Sequence, residues 1–288
     1  MLLSTVTLWA LNFTVSKYVL THGLAPLAFS STRYFAAAAL FVGITAVSER
    51  SLAVRSRDLL LMLGLAVVLF VNQLGFIYGL KLSSASTVAL IFGSLPIFTG
   101  LFAAIACVER LSRRFVAAGL ISFSGVALVA AGSGKGLSAD VKGDLLALLG
   151  AATWGAYSVA IAPLMRRYSP YRISVVVISA TTLLLAAAGS QQVAAQDWPS
   201  GRLLWVGFVF AVIGPLVVTN VLWFRAIHGV GPSRASMFAN LQPFFAAVIA
   251  LVLLSESLSW LQLVGGVAIG CGIVVSRRTA RVAVPATE

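Results

Sequence analysis

From residue 2 to residue 276 the chain is a succession of apolar runs separated by short polar breaks. Each run is about the ~20 residues that a helix needs to cross a ~30 Å hydrocarbon core. Inside a bilayer every backbone N–H and C=O must be satisfied within the protein, which leaves helices or a closed barrel. A barrel would show shorter segments with dyad alternation. The runs fall near 2–20, 26–47, 58–80, 84–107, 115–132, 143–164, 171–190, 202–224, 233–254 and 260–276, and predict an all-α polytopic membrane protein with ten transmembrane helices. Composition agrees: 60% of the 288 residues are hydrophobic, 10% are charged and the mean hydropathy is +1.01. A soluble domain of this size needs far less apolar material for one core.

The first run carries Asn12 and Lys17, with no basic leader and no small-residue cleavage site, so it reads as a retained helix rather than a signal peptide. A net charge of +12 raises the question of nucleic acid. The basic residues, however, sit in breaks between apolar runs and not on one folded polar face, and no nucleic-acid partner is expected. With the N-terminus in the cytoplasm, fourteen of them, from Arg50 through Arg113 and Arg167 to Arg281, lie in cytoplasmic breaks. Lys81, Lys135, Lys142 and Arg202 lie outside. Such a bias orients membrane proteins, and it predicts a multi-pass inner-membrane protein with both termini cytoplasmic and an even number of spans.

A single gapless register of 147 positions superposes Ser86 on Ser233, Pro96 on Pro243, Phe98 on Phe245, Glu109 on Glu256, Leu111 on Leu258, Gly119 on Gly266 and Gly125 on Gly272. Chance apolar similarity does not align a proline, a glutamate and two glycines together, so the chain reads as a duplication, 1–137 and 138–288. Five spans per copy is an odd number, which forces the second copy to enter the membrane from the opposite side. The expectation is two inverted repeats, the construction that allows alternating access to a central site.

The opening Trp9-Ala-Leu-Asn12-Phe13-Thr-Val-Ser-Lys17, then Pro26 and Arg33, then Pro96 and Glu109-Arg-Leu111 with their second copy, resemble the EamA-type branch of the drug/metabolite transporter superfamily over essentially the whole chain. The resemblance implies a ten-helix bundle that moves small metabolites, often outward, in a family that includes bacterial exporters of amino acids. The second half departs from the pattern. Tyr157 stands where Asn12 stood, and Val177 or Ile178 falls where Arg33 would, so the substrate site is expected to be asymmetric.

Polar residues within the spans must face protein or a wet cavity. Thr5, Trp9, Asn12 and Ser16 share one face of the first span, and Trp154, Tyr157 and Ser158 share one side of the sixth. Asn72, Gln73 and Tyr78 lie in the third span; Thr219, Asn220 and Trp223 lie in the eighth, with Gln73 on Asn220 in the same register. Ser94 precedes Pro96, and Asn240 and Gln242 precede Pro243. The expected substrate-binding set is Trp9, Asn12, Asn72, Gln73, Tyr78, Ser94, Trp154, Tyr157, Asn220, Trp223 and Asn240, against the plainer reading of interhelical hydrogen bonds and packing. Pro96 and Pro243 each remove a backbone donor and are expected kinks or hinges. Lys17 is expected to snorkel to the outer headgroups. Arg33, deeper in its span, either attracts a carboxylate or fixes the first loop on carbonyls, and the balance leans to the structural role. Leu185 is expected to face lipid.

No Asp or Glu falls in the middle of a span, which argues against tight proton coupling. No cofactor is expected: Gly132-Ser-Gly134-Lys135-Gly136 lacks the Ser/Thr after lysine and the glycine spacing of a phosphate loop. Cys107, Cys271, His22 and His228 have no metal-ligand spacing, no hydrolase constellation is present, and the thiols read as inert membrane-buried groups. Gly266 and Gly270 form a Gly-x-x-x-Gly face that would pack on Gly119 and Gly125 of the fifth span or on a second copy; intrachain packing, hence a monomer, is favoured. The functional reading is a non-enzymatic exporter of small metabolites, amino acids foremost. A lipophilic-cation efflux carrier, a metabolite importer and a non-transporting scaffold or sensor are the alternatives.

Overall fold

The computed structural model describes residues 1–49, 53–109, 112–132, 141–245 and 259–277. Glu256, Leu258 and the 133–140 break around Lys135, on which part of the sequence reading rests, lie outside the described residues, as do Arg110 and Leu111. Among the described residues the chain is helical without strands. The long helices are α1 (Leu2–Thr21), α2 (Pro26–Glu49) and α3 (Ser56–Leu82). The next apolar run is split into α4 (Ala85–Phe92) and α5 (Leu95–Ile105), and α6 (Arg113–Gly132) follows. After the break come α7 (Val141–Ile161), α8 (Pro170–Ala194), α9 (Arg202–Val212) and α10 (Thr219–Val230). The last pieces are α11 (Pro232–Met237) and α12 (Trp260–Arg277). Six of the helical stretches are long and apolar enough to cross a membrane. With large apolar side chains such as Phe35, Leu60 and Leu183 on the outer surface, this is a multi-pass membrane protein.

The helix ends follow local chemistry. Pro26, Pro170 and Pro232 open α2, α8 and α11, where a missing N–H costs nothing. Ser84 and Ser169 accept from the backbone N–H of Thr87 and Arg172 as N-caps. The start of α2 is satisfied from elsewhere in the chain: Ala25 donates to the side-chain carbonyl of Gln196, just past α8, at 2.8 Å, and Leu27 to that of Gln192 on α8 at 2.9 Å. At the far end of the same helix pair, Glu49 meets Arg172 at 3.0 Å, while Asp58, buried at the start of α3, accepts from Arg167 and the Tyr168 hydroxyl at 2.7 and 2.8 Å.

Helices of the two halves lie side by side: α2 along α8, α3 along α7 and α8, α6 along α12, and α1 against α9 and α10. Small residues set the closest approaches. A Cβ on Gly75 would meet the carbonyl of Leu146 at 2.6 Å, and one on Gly125 would meet that of Gly265 at 2.6 Å. The expected pairing of the fifth and last spans is present, carried by Gly125 as expected but by Gly265 and Gly272 in place of the other named glycines. Gly119 and Gly270 have nothing within 4 Å, Gly266 faces the Phe244 ring, and the contact runs through Gly125, Gly265 and Gly272. Spacing alone does not tell which side of a helix turns to its neighbour.

Two further expectations are corrected. Lys17 does not simply reach for headgroups: its ammonium donates to the carbonyls of Leu80 and Ser83 at 2.7 and 2.8 Å and so caps the C-terminus of α3, whose last carbonyls have no helical partner. Leu185 is fully buried, and its carbonyl accepts from Ser31 at 2.9 Å; Leu183 is the exposed neighbour. Cys107 and Cys271 are free and lie on the protein surface.

Candidate functional site

The apolar run that holds Pro96 is broken at Gly93 and Ser94, where the backbone N–H groups turn back to Leu90 and Ile91 and α5 restarts with Pro96 in its first turn. The Ser94 hydroxyl donates to the Ile91 carbonyl at 2.6 Å. Before Pro243 the chain tightens into a 3-10 turn, Phe238–Leu241. A third irregularity has the same cause. Pro215 lies between α9 and α10 in a π-helical segment, Ile213–Val218, because a proline within a helix leaves a carbonyl without its donor. The Thr219 hydroxyl donates to the Pro215 carbonyl one turn back.

These irregular segments and the regular helices beside them enclose a cavity of about 80 Å3. At the ~30 Å3 that each water takes in the liquid, it has room for about two to three waters. Its wall takes Trp9, Asn12 and Phe13 from α1, Arg33 and Tyr34 from α2, and Asn72, Gln73 and Phe76 from α3. Phe92 and Leu95 flank the break between α4 and α5; Trp154 comes from α7, Pro215 and Leu216 from the π segment, and Gln242 from the turn before Pro243.

The wall is tied together by a few polar contacts. Trp9 donates its indole N–H to Thr219 Oγ1 at 3.0 Å, and Ser16 donates to Asn12 Oδ1 at 3.1 Å. Asn72 Nδ2 donates to the Gly150 carbonyl of α7 at 2.8 Å. Arg33, 1% exposed, donates from Nη2 to Gln73 Oε1 at 2.7 Å. Its guanidinium carbon lies 4.9 Å from the Phe29 ring centroid and 5.8 Å from those of Tyr34 and Phe76. Two aromatic groups complete the wall and its backing. Phe13, Phe76 and Phe92 meet pairwise at 5.6–6.1 Å. Trp9 packs on Trp154 at 5.5 Å and on Trp223 at 4.9 Å, and Tyr157 stacks behind Trp154 at 5.4 Å.

Of the residues named from sequence, Trp9, Asn12, Asn72, Gln73 and Trp154 come together in the cavity wall. Tyr157 and Trp223 form a buried layer against the wall tryptophans, with Trp223 donating to Ser158 Oγ at 3.1 Å. Tyr78 instead accepts from Gln192 on α8 at 3.0 Å, Asn240 donates to Ser122 of α6 at 2.7 Å, and Asn220 is buried apart from the wall. Arg33, whose depth in an apolar span left a carboxylate-attracting role open beside the favoured structural one, also lies in the wall. Sequence reasoning passed over Pro215 and Leu216, for which the mid-span proline was the only cue. Among the described residues no cluster of His, Cys, Asp or Glu is arranged to hold a metal.

A polytopic helical bundle enclosing a small, mixed polar and aromatic cavity has the build of a membrane transporter. A model of the EamA-like transporter family matches residues 1–131 and 141–278, and the chain belongs to that family. It is 27% identical to a Salmonella typhimurium protein named "Probable amino-acid metabolite efflux pump", with 96% of this chain and 95% of that one covered. It is 28% identical to a "Probable terminal-alkyne amino-acid exporter" of Streptantibioticus cattleyicolor, covering 96% and 93%. An uncharacterized transporter of Bacillus subtilis is 30% identical over 82% of this chain and 80% of its own length. A solved crystal structure shares the fold, with a TM-score of 0.73 at 20% identity over 95% of this chain and 96% of the other.

Proposed function

We propose that this protein is a secondary transporter that exports small metabolites, amino acids foremost, from the cytoplasm by alternating access of two inverted five-helix repeats, 1–137 and 138–288. In this reading ten helices cross the inner membrane, both termini are cytoplasmic, and the chain works as a monomer. The observation that carries the reading is the cavity itself: Asn12, Arg33, Asn72 and Gln73 reach it from the first repeat, Trp154 and Gln242 from the second. A site at a repeat interface, lined by interrupted helices, is the arrangement through which rocking of one repeat on the other exposes the site to alternate sides.

Three observations support it. The neighbour pattern maps onto itself when the halves are exchanged: α2 pairs with α8, α6 with α12, and α3 meets α7 as α9 and α10 meet α1. The family model's two matched stretches divide the chain at the same break. Two similar proteins carry names of amino-acid efflux. The breaks at Pro96 and Pro243 are then the hinges, and Trp9, Asn12, Asn72, Gln73 and Trp154 are substrate contacts, with Tyr157 and Trp223 behind them.

The test is efflux of labelled amino acids from liposomes holding the pure protein. Trp154→Ala and Asn12→Ala should slow efflux at least tenfold while Leu183→Ala, on the outer surface, leaves it unchanged. Normal efflux by both folded variants removes the cavity from the path, and absence of flux for every amino acid removes the function. Cysteine labelling tests the orientation: positions beside Arg113 and Arg167 should react from the cytoplasmic side, and positions beside Lys142 and Arg202 from the other.

A further inference from the structure

The cavity wall contains one charged side chain among its described residues, Arg33, and no Asp or Glu. A guanidinium keeps its proton in proteins and offers five N–H donors. Only Nη2 finds a partner, on Gln73; Nε and Nη1 are fully buried and no described protein group pairs with them. The three aromatic rings near the guanidinium act through their faces on its charge and carry no counter-charge.

A comparison within the same molecule shows what a structural cation looks like here. Lys17 spends its donors on backbone carbonyls at the end of α3. Arg33, with more donors and less exposure, is held by one neutral amide and by rings, and its positive charge has no protein counter-charge in the wall. Leaving such a group buried and unpaired is costly, and a fold does so where a ligand supplies the missing acceptor. On the other side of the polarity balance, the Oε1 of Gln242, also in the wall and 3% exposed, has no donor among the described residues. The rest of the lining is apolar or aromatic: Phe13, Phe92, Leu95 and Leu216, with Trp9 and Trp154.

We infer that the Arg33 guanidinium is the anchor for a substrate carboxylate, so that the cavity takes small apolar carboxylic acids, amino acids among them, and rejects amines and cations that lack the carboxylate. The inference rests on the proposed export through this cavity and deepens it. For an amino acid, the carboxylate accepts from the free Nε and Nη1 donors, which neutralises the wall. The ammonium then has the Gln242 carbonyl and the tryptophan faces available, and the side chain meets the phenylalanines and leucines. A lipophilic cation meets the same positive charge with nothing to cancel it, which disfavours the drug-efflux alternative.

The experiment uses four probes of nearly one shape: leucine, 4-methylpentanoate, leucinamide and 3-methylbutylamine. Wild-type protein is tested for thermal stabilisation in detergent and for flux in liposomes. Leucine and 4-methylpentanoate should raise the unfolding midpoint at concentrations at least tenfold below those that leucinamide and 3-methylbutylamine require, and leucine should move while the amine does not. Arg33→Gln should lose at least tenfold in apparent leucine affinity and no longer separate leucine from leucinamide; a residue with only a packing role would weaken all four probes alike. The wild-type series decides the matter even if that variant does not fold. Equal stabilisation and flux by acid and amine overturns the carboxylate anchor and leaves export standing. Acid-selective stabilisation without flux keeps the anchor and removes export. Silence of all four probes in both measurements overturns both.

Discussion

Trp9 on the first helix donates its indole N–H to Thr219 Oγ1, 210 residues away, at 3.0 Å, and Thr219 in turn donates to the Pro215 carbonyl. One side chain thus ties α1 to the start of α10 and at the same time forms part of the cavity wall. Trp9→Phe keeps the ring contacts with Trp154 and Trp223 but loses the donor. It should lower stability by about 1 kcal/mol and slow efflux, whereas Trp9→Ala should lower it by about 3–5 kcal/mol. Thermal unfolding and liposome flux on the two variants check the order.

Gly75 is needed for the approach of α3 to α7. A Cβ there would stand 2.6 Å from the Leu146 carbonyl and 2.8 Å from the Gly150 nitrogen, both backbone atoms that cannot swing aside. Gly75→Ala should therefore destabilise by about 1–3 kcal/mol, and by displacing Asn72 from Gly150 it should also disturb the cavity. Gly64→Ala, with nothing within 4 Å, should be neutral or slightly stabilising through helix propensity. Equal melting of the two variants would show that the helices are farther apart than described.

Lys17→Met removes the donors that cap the last carbonyls of α3 while keeping the apolar stem. The expected loss is about 1 kcal/mol or more in thermal unfolding, with partial recovery in Lys17→Arg. A side chain that merely reached for headgroups would show no loss in detergent.

Glu109, in the turn after α5, is pushed above its ordinary value of 4.5, first by burial, while Ser233 and the nearby positive charge of Arg234 pull it partly back. The folded state therefore holds this proton to higher pH than the unfolded chain does. The group's contribution is most favourable below about 4.5 and is lost as pH rises from there through the raised folded value, since in that window the unfolded state binds fewer protons. Glu109→Gln should flatten this part of the stability profile. A Cβ on Gly231, whose φ is +85°, would collide with the same carboxylate, so Gly231→Ala should be destabilising on both counts.

The absence of Asp and Glu from the described cavity wall carries an expectation for coupling. Flux should persist in liposomes without a pH gradient and should not change luminal pH in fixed ratio to substrate. A constant proton-to-substrate ratio would contradict it.

The class of the protein was legible in the chain because hydropathy is read locally: a run long and apolar enough to sit in hydrocarbon is so wherever its neighbours are. The transporter family was legible for a related reason, since Trp9-Ala-Leu-Asn12, Pro26, Arg33 and the paired prolines occur in a recognisable order. What a side chain faces is not a local property. Trp9, Asn12, Asn72, Gln73 and Trp154 share the cavity, but Tyr78 turns to Gln192 and Asn240 to Ser122, although all were equally polar residues at helical spacing. Lys17 and Arg33 differ in the same way, one spent on carbonyls and the other left with open donors, because each answers to whichever helix packs beside it. The break at Gly93 and Ser94 and the π turn at Pro215 were signalled by proline, but their place in the cavity wall was decided by the packing of the bundle. Sequence by itself determined that these segments prefer a membrane to water; only tertiary packing decided which of their faces meet, since that depends on contacts between residues far apart in the chain.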